Sequence, residues 1–285
     1  MGAGPATGGG ARPLGIGEIL DAALKLYRAR AVELWKLVAL IIVPVEVVDR
    51  IVFAASLPSG VYAHDGSLYA PVGTVGGAWI VVTIVLRFVA AALVIGALSR
   101  GLIDAYVGHP SGWRQSLEYA ADRLAPLLWL ALLTSLVVLV GFILFVIPGV
   151  YLLVALSVAV PVLMFEGIAG PAALARSREL VSGRWWPTLG ALIVGVVLII
   201  AVDLVITAVV AAIESGGHVN SVGVVIVLSG MATIVSNVLT YPLLAAITAV
   251  IYIDLRHRKE GLEPGALRRG SELDTPSAPT WPPSA

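Results

Sequence analysis

Six stretches of almost unbroken apolar residues set the pattern of the chain, at 37–57, 77–99, 126–147, 150–168, 188–213 and 222–253. An α-helix of about 20 apolar residues crosses the roughly 30 Å of hydrocarbon in a bilayer, and only a helix or a closed barrel satisfies its own backbone hydrogen bonds there. The expected fold is therefore all-α, a polytopic bundle of six transmembrane helices. The third and fourth runs are separated only by "IPGV". Pro148 lacks a backbone donor and Gly149 tolerates unusual dihedrals, so these residues predict a tight turn between two spans, with a re-entrant pair as the alternative.

Three further segments have helical periodicity but are too polar to cross. In "GIGEILDAALKLYRAR" the side chains of Glu18, Asp21, Lys25 and Arg28 recur every three or four residues, opposite Ile16, Ile19, Leu20, Ala23 and Tyr27. Such an amphipathic helix is expected to lie on the membrane surface. Its acids come first and its bases last, which suits the helix dipole, and Asp21 and Lys25 stand four apart. "SGWRQSLEYAADRLAP" and "GPAALARSRELVSGRWWP" hold the same place before the third and fifth spans. The order of interfacial helix and two spans thus occurs three times, a pattern that parallel internal repeats would produce and that chance loop helices also would. The helices are expected to form a collar that seals one end of the bundle, with a lipid or partner surface as the alternative.

Composition agrees with the pattern. Hydrophobic residues make up 59% of the chain and charged residues 13%, with a mean hydropathy of +0.97. A soluble domain carries about 25% charged residues. The net charge of zero offers no general attraction to nucleic acid. The absence of Cys removes thiolate metal sites and thiol nucleophiles. The four His, at 64, 109, 218 and 257, lie in different segments without metal-ligand spacing. No cofactor is expected. The N-terminus has no basic stretch leading straight into an apolar core, so no cleaved signal is expected. Residues 1–11 are rich in Gly and Ala, and 261–285 in Pro and Ser, so both are expected to be disordered tails around a membrane domain at 12–260.

The basic residues give the orientation. Arg12, Lys25, Arg28, Arg30 and Lys36 precede the first span; Arg100, Arg114 and Arg123 lie in the second connection; Arg176, Arg178 and Arg184 lie in the fourth; Arg256, Arg258, Lys259, Arg268 and Arg269 follow the last. The remaining connections hold none. Cytoplasmic loops retain Lys and Arg, so a multi-pass protein of the cell (inner) membrane with both termini in the cytoplasm is expected. Trp35, Trp79, Trp129, Trp185 and Trp186 fall near the span ends, where an aromatic belt would place them.

Five charged residues interrupt the spans: Glu46, Asp49, Arg50, Arg87 and Asp203. Counting about 1.5 Å per residue from the span ends puts Glu46, Arg87 and Asp203 at one depth, with Asp49 and Arg50 a turn nearer the outer surface. An unpaired charge at mid-bilayer costs about 2.5–3.5 kcal/mol, so charges sharing one depth are expected to neutralise one another. Arg87 is expected to bridge the first and fifth spans, with Glu46 or Asp203 as its partner. Three acids against two arginines leave one carboxylate to be protonated or to bind a cation.

"RPLGIGEILDAALKLYR" at 12–28, "IPGVYLLVALSVAVPVLMFEG" at 147–167 with "ALARSRELVSGRWW" at 173–186, and "YIDLRHRKEGLEP" at 252–264 resemble the glycerophosphoryl diester phosphodiesterase membrane-domain family and related uncharacterised actinobacterial membrane proteins. The resemblance implies that the phosphodiesterase chemistry belongs to a separate soluble barrel, which takes about 250 residues and finds no room here. No catalytic residue carries over. The matched charges Glu18, Asp21, Glu166, Arg176, Arg178, Asp254 and Arg256 are expected to pin helix ends together at the cytoplasmic face. The first expectation for function is a non-catalytic integral membrane protein, a scaffold or a partner-dependent component of lipid or envelope processes. Its partners would be the lipid bilayer and membrane or cytoplasmic proteins. A transporter or lipid translocator using the intramembrane charges is the second. An intramembrane hydrolase is the third, and it lacks a free nucleophile and base, because the carboxylates at membrane depth stand with arginines.

Overall fold

A computed structural model describes residues 15–57, 62–64, 67–69, 77–108, 111–217 and 221–261. The expected tail at 1–11, the expected tail at 261–285 except Gly261, and most of the connection between the first and second runs lie outside the described residues. The protein is an all-α bundle. In chain order it comprises α1 (Ile16–Ser56), a small hairpin of β1 (Tyr62–His64) and β2 (Ser67–Tyr69), α2 (Gly77–Val107), α3 (Trp113–Asp122), α4 (Leu124–Leu144), α5 (Val146–Ala155), α6 (Ala159–Glu166), α7 (Gly170–Val181), α8 (Trp185–Gly217) and α9 (Val222–Glu260). The strands β1 and β2 pair antiparallel with Tyr62 opposite Tyr69.

Five helical segments are long and apolar enough to cross a membrane: Ile80–Tyr106, Leu124–Leu144, Val146–Glu166, Trp185–Glu214 and Val222–Glu260. They correspond to the second to sixth runs of the sequence pattern. The first run is the C-terminal half of α1, which is long but carries Glu46, Asp49 and Arg50.

Three local features differ from expectation. The amphipathic segment at 15–30 and the first apolar run are one continuous helix of 41 residues, because "ARAVELWK" between them contains no Gly or Pro to break it. Pro44 lies inside this helix, at the cost of one backbone hydrogen bond. The turn between the third and fourth runs falls at Phe145, which is extended (φ −166°, ψ 159°), and not at Pro148–Gly149. Pro148 instead occupies the first turn of α5, where the backbone donors have no intrahelical partner anyway. The fourth run is itself broken at Leu156–Val158, between α5 and α6. Pro161 is the cause: it has no N–H for the carbonyl of Ser157, and its ring excludes that carbonyl from the helical position. The Ala155 carbonyl freed beside the break accepts a hydrogen bond from the buried Ser177 hydroxyl of α7 (2.9 Å).

The start of α1 and the end of α9 lie at one end of the bundle, called here the terminal end. Ile16 packs against Gly190 near the start of α8, and Lys259 donates to the Ser182 hydroxyl before α8 (2.7 Å). The buried core is concentrated in this half, with Leu37, Leu98, Leu102, Leu163, Met164, Ile247 and Tyr252 almost fully enclosed. The far half is looser: Ile80, Val81 and Ile84 of α2, Leu136 and Leu139 of α4, and Leu204 and Val205 of α8 are all exposed. Lipid is as apolar as these side chains, so burying them would gain little, and close backbone packing and polar pairs must hold that half.

Candidate functional site

In the far half, α1 meets α2 and α9 through its charges. Glu46 and Asp49 are three residues apart, on one face of α1, and are only 2% and 5% exposed. One guanidinium nitrogen of α2, Arg87 Nη2, lies 2.9 Å from Glu46 Oε2 and 2.9 Å from Asp49 Oδ2. The other Asp49 oxygen accepts from the Thr83 hydroxyl, one turn along α2 from Arg87 (2.8 Å). Arg50 approaches Glu46 within its own helix (3.5 Å) and reaches α9, where Nη2 donates to Thr233 Oγ1 (3.2 Å) and Nη1 to Ser229 Oγ (3.5 Å). The Arg50 stem lies directly on Gly230, where an added Cβ would come within 3.2 Å of Arg50 Cγ.

Asp203 does not join this cluster: of the two partners expected for Arg87, Glu46 is the one that Arg87 meets, and the expected bridge to the fifth span is not formed. Asp203 accepts a hydrogen bond from the Ser236 hydroxyl of α9 instead. Equal depth places residues on one level but says nothing of the direction each helix face points. Without Asp203 the cluster holds two acids and two arginines, and the excess carboxylate disappears. Both arginines leave Nε buried without a partner among the described residues, so they engage through their terminal nitrogens and not as two-pronged forks.

A second network closes the terminal end. Glu166, the last residue of α6, accepts from Arg176 of α7 through Oε2 (3.0 Å) and from the buried Tyr252 of α9 through Oε1 (2.9 Å). Arg176 also pairs with Glu179 (3.2 Å) and with Glu260 at the end of α9. Arg256 pairs with Glu260 (2.9 Å) and donates to the Tyr252 hydroxyl (3.1 Å). Burial alone would lower the Arg176 pKa, but its hydrogen bonds and charge interactions with Glu166 and Glu179 outweigh that and hold it above the ordinary value.

Of the residues expected to pin this face, Glu166, Arg176 and Arg256 are brought together, and Tyr252, Glu179 and Glu260 complete their network. The others act locally. Glu18 caps its own helix by accepting from the Gly15 N–H (2.7 Å), Asp21 pairs with Lys25 (2.7 Å) on an exposed face, and Asp254 pairs with Arg258 (2.8 Å). Arg178 is exposed, outside the network.

The charge pattern alone did not reveal a third group. Arg100 pairs with Asp104 (3.0 Å), donates to the Met164 carbonyl of α6 (3.3 Å) and lies over the Tyr119 ring of α3, whose ring also meets Arg123. The i,i+4 spacing of Arg100 and Asp104 was the available signal.

Cavities lie apart from most of these charges. Two of about 320 and 360 Å³ share Ile95, Thr134, Ser135, Leu156 and Val160, beside the α5–α6 break. A third, of about 260 Å³ between α1 and α9, touches Glu46 and Arg50 but is otherwise lined by aliphatic side chains, Met231 and Gly230. Arg87 lines none of the three. Among the described residues, no group of three or more His, Asp or Glu side chains is placed to hold a metal ion. The chain matches no family model, no curated protein and no solved structure.

Proposed function

We propose that the chain is a six-span, non-catalytic protein of the cell membrane with both termini in the cytoplasm, serving as a scaffold or partner-dependent component of lipid or envelope processes. The observation that supports it most is the closure of the charge clusters. Glu46 and Asp49 are buried and spent on Arg87, Arg50 and Thr83, and the Glu166 network is likewise paired among its own members. A transport path needs groups that can change partners, whereas these hold helices to one another. The sixth span in this reading is the second half of α1. Its three charges disqualify it by composition, yet pairing to Arg87 and α9 removes most of their cost in lipid. The basic residues at the terminal end support the cytoplasmic assignment. The likeness of 12–28, 147–186 and 252–264 to the glycerophosphoryl diester phosphodiesterase membrane-domain family supports a membrane module in lipid or envelope processes.

The second reading, a lipid translocator, draws on the discontinuous α5–α6 and the apolar cavities beside it, since broken helices often line substrate sites in transporters. The purified protein in proteoliposomes separates the ion-coupled form of that reading from the scaffold. Under an imposed pH gradient and membrane potential, proton and sodium flux should equal that of protein-free vesicles. Protein-dependent flux that Glu46→Gln abolishes would overturn the scaffold reading.

A further inference from the structure

The connection between α4 and α5 is unlike the other two at the far end of the bundle. The α1–α2 connection contains Ser59, His64, Asp65 and Ser67, and the end of α8 with its connection to α9 contains Glu214, Ser215, His218 and Asn220. From Phe142 to Ile147 there is no polar side chain, and each of these six residues is 40–82% exposed. Their surface continues the exposed stripe of Leu132, Leu136, Leu139 and Val140 along α4.

The hairpin is also short when measured from Trp129, which is half-exposed near the terminal end of α4, where a belt tryptophan would stand. From Trp129 to the apex at Phe145 is sixteen residues, about 24 Å of helix, against the roughly 30 Å of hydrocarbon. By contrast α8 runs for 33 residues from Trp185 to Gly217.

Both backbone groups of the apex residue Phe145 are paired. The Phe145 N–H donates to the Gly141 carbonyl (3.0 Å), and the Phe145 carbonyl accepts from the Gly149 N–H (3.2 Å). Pro148 removes one of the donors that the first turn of α5 would otherwise leave unsatisfied. Gly141 and Gly149 let the two helices close on each other: a Cβ on Gly141 would lie 3.0 Å from Gly149 Cα.

We propose that α4 and α5 form a submerged hairpin whose tip, residues 142–147, lodges among the acyl chains of the far leaflet and does not emerge into water. The hairpin enters and returns from the terminal side, so α4 and α5–α6, two of the six spans proposed above, become a re-entrant pair, while the other four crossings and the common side of the chain's ends stand as in that reading. The short hairpin and its apolar tip draw the far leaflet inward at this side of the bundle, as a stretch shorter than the hydrocarbon does.

The native chain has no Cys, so Ile147→Cys gives a single thiol at a position 82% exposed, where a label displaces no packing. Ser221→Cys, at the exposed start of α9, serves as the reference for water at the same end. Each variant is spin-labelled and reconstituted into phosphatidylcholine–phosphatidylglycerol vesicles, and its relaxation is compared in oxygen, which concentrates in acyl chains, and in a nickel chelate confined to water and present on both sides. The label at 147 should be relaxed by oxygen and lose the nickel response that the label at 221 retains. A nickel response at 147 equal to that at 221 would overturn the submerged tip. A label at 147 shielded from both probes would place the tip against a second copy of the chain and also overturn the acyl-chain assignment.

Discussion

Replacing Arg87 by Leu keeps a shorter, apolar side chain on α2 while removing the one group among the described residues that contacts both Glu46 and Asp49 (2.9 Å each). Breaking a buried ion pair by deleting one partner costs about 3–5 kcal/mol, because the remaining charge stays buried and uncompensated. The lower end applies, since Arg50 still stands 3.5 Å from Glu46 and Thr83 still donates to Asp49. A loss of about 3 kcal/mol corresponds to a fall in Tm of roughly 6–12 °C on the scaling of large soluble domains. Thermal unfolding in detergent, followed by the fluorescence of the seven Trp, reads it directly. The double variants carry the sharper expectation. With Arg87 gone, Glu46 keeps an arginine neighbour and Asp49 keeps only a hydroxyl, so Arg87→Leu with Asp49→Asn should recover more stability than Arg87→Leu with Glu46→Gln. Asp203→Asn should recover none, because Asp203 bonds to Ser236. An unchanged Tm for Arg87→Leu would refute the locking role, and recovery by Asp203→Asn would refute the pairing.

Arg176→Met should destabilise the protein by about 2 kcal/mol, the loss of a hydrogen bond to a buried carboxylate, while Arg178→Met on the exposed face of the same helix leaves the melting curve unchanged. Gly141→Ala drives a methyl against the Gly149 backbone and should cost about 1–3 kcal/mol by the same assay, whereas Gly223→Ala meets nothing within 4 Å and should be neutral or slightly stabilising. In intact cells an impermeant thiol reagent should label cysteines at Ser67 and Ser215 and spare one at Ser277; labelling at Ser277 would reverse the orientation.

Much of the bundle was legible because lipid imposes a simple rule: five of the six apolar runs are helices of membrane-spanning length and hydropathy. What the sequence concealed was azimuth and local breaks. Depth counting correctly grouped Glu46 with Arg87 but also drew in Asp203, since distance along an axis does not tell which way a helix face turns. The three-residue spacing of Glu46 and Asp49 held the better clue, because it puts both acids on one face of α1 and so within reach of one arginine. "IPGV" pointed to the hairpin but not to its apex: proline fits the first turn of a helix as readily as a loop, so the bend moved to Phe145. At the terminal end, the network of Glu166, Arg176 and Arg256 needed Tyr252 and Glu260, whose roles follow only from the meeting of α6, α7 and α9.

An experimental density map of the protein in a lipid nanodisc would most directly test whether the intramembrane charges are spent on holding helices together. The second half of α1 should cross the disc, with the Arg87 guanidinium between Glu46 and Asp49 and Arg50 lying on Gly230. An α1 lying along the disc surface, or an Arg87 turned toward Asp203 or a water-filled opening, would contradict it.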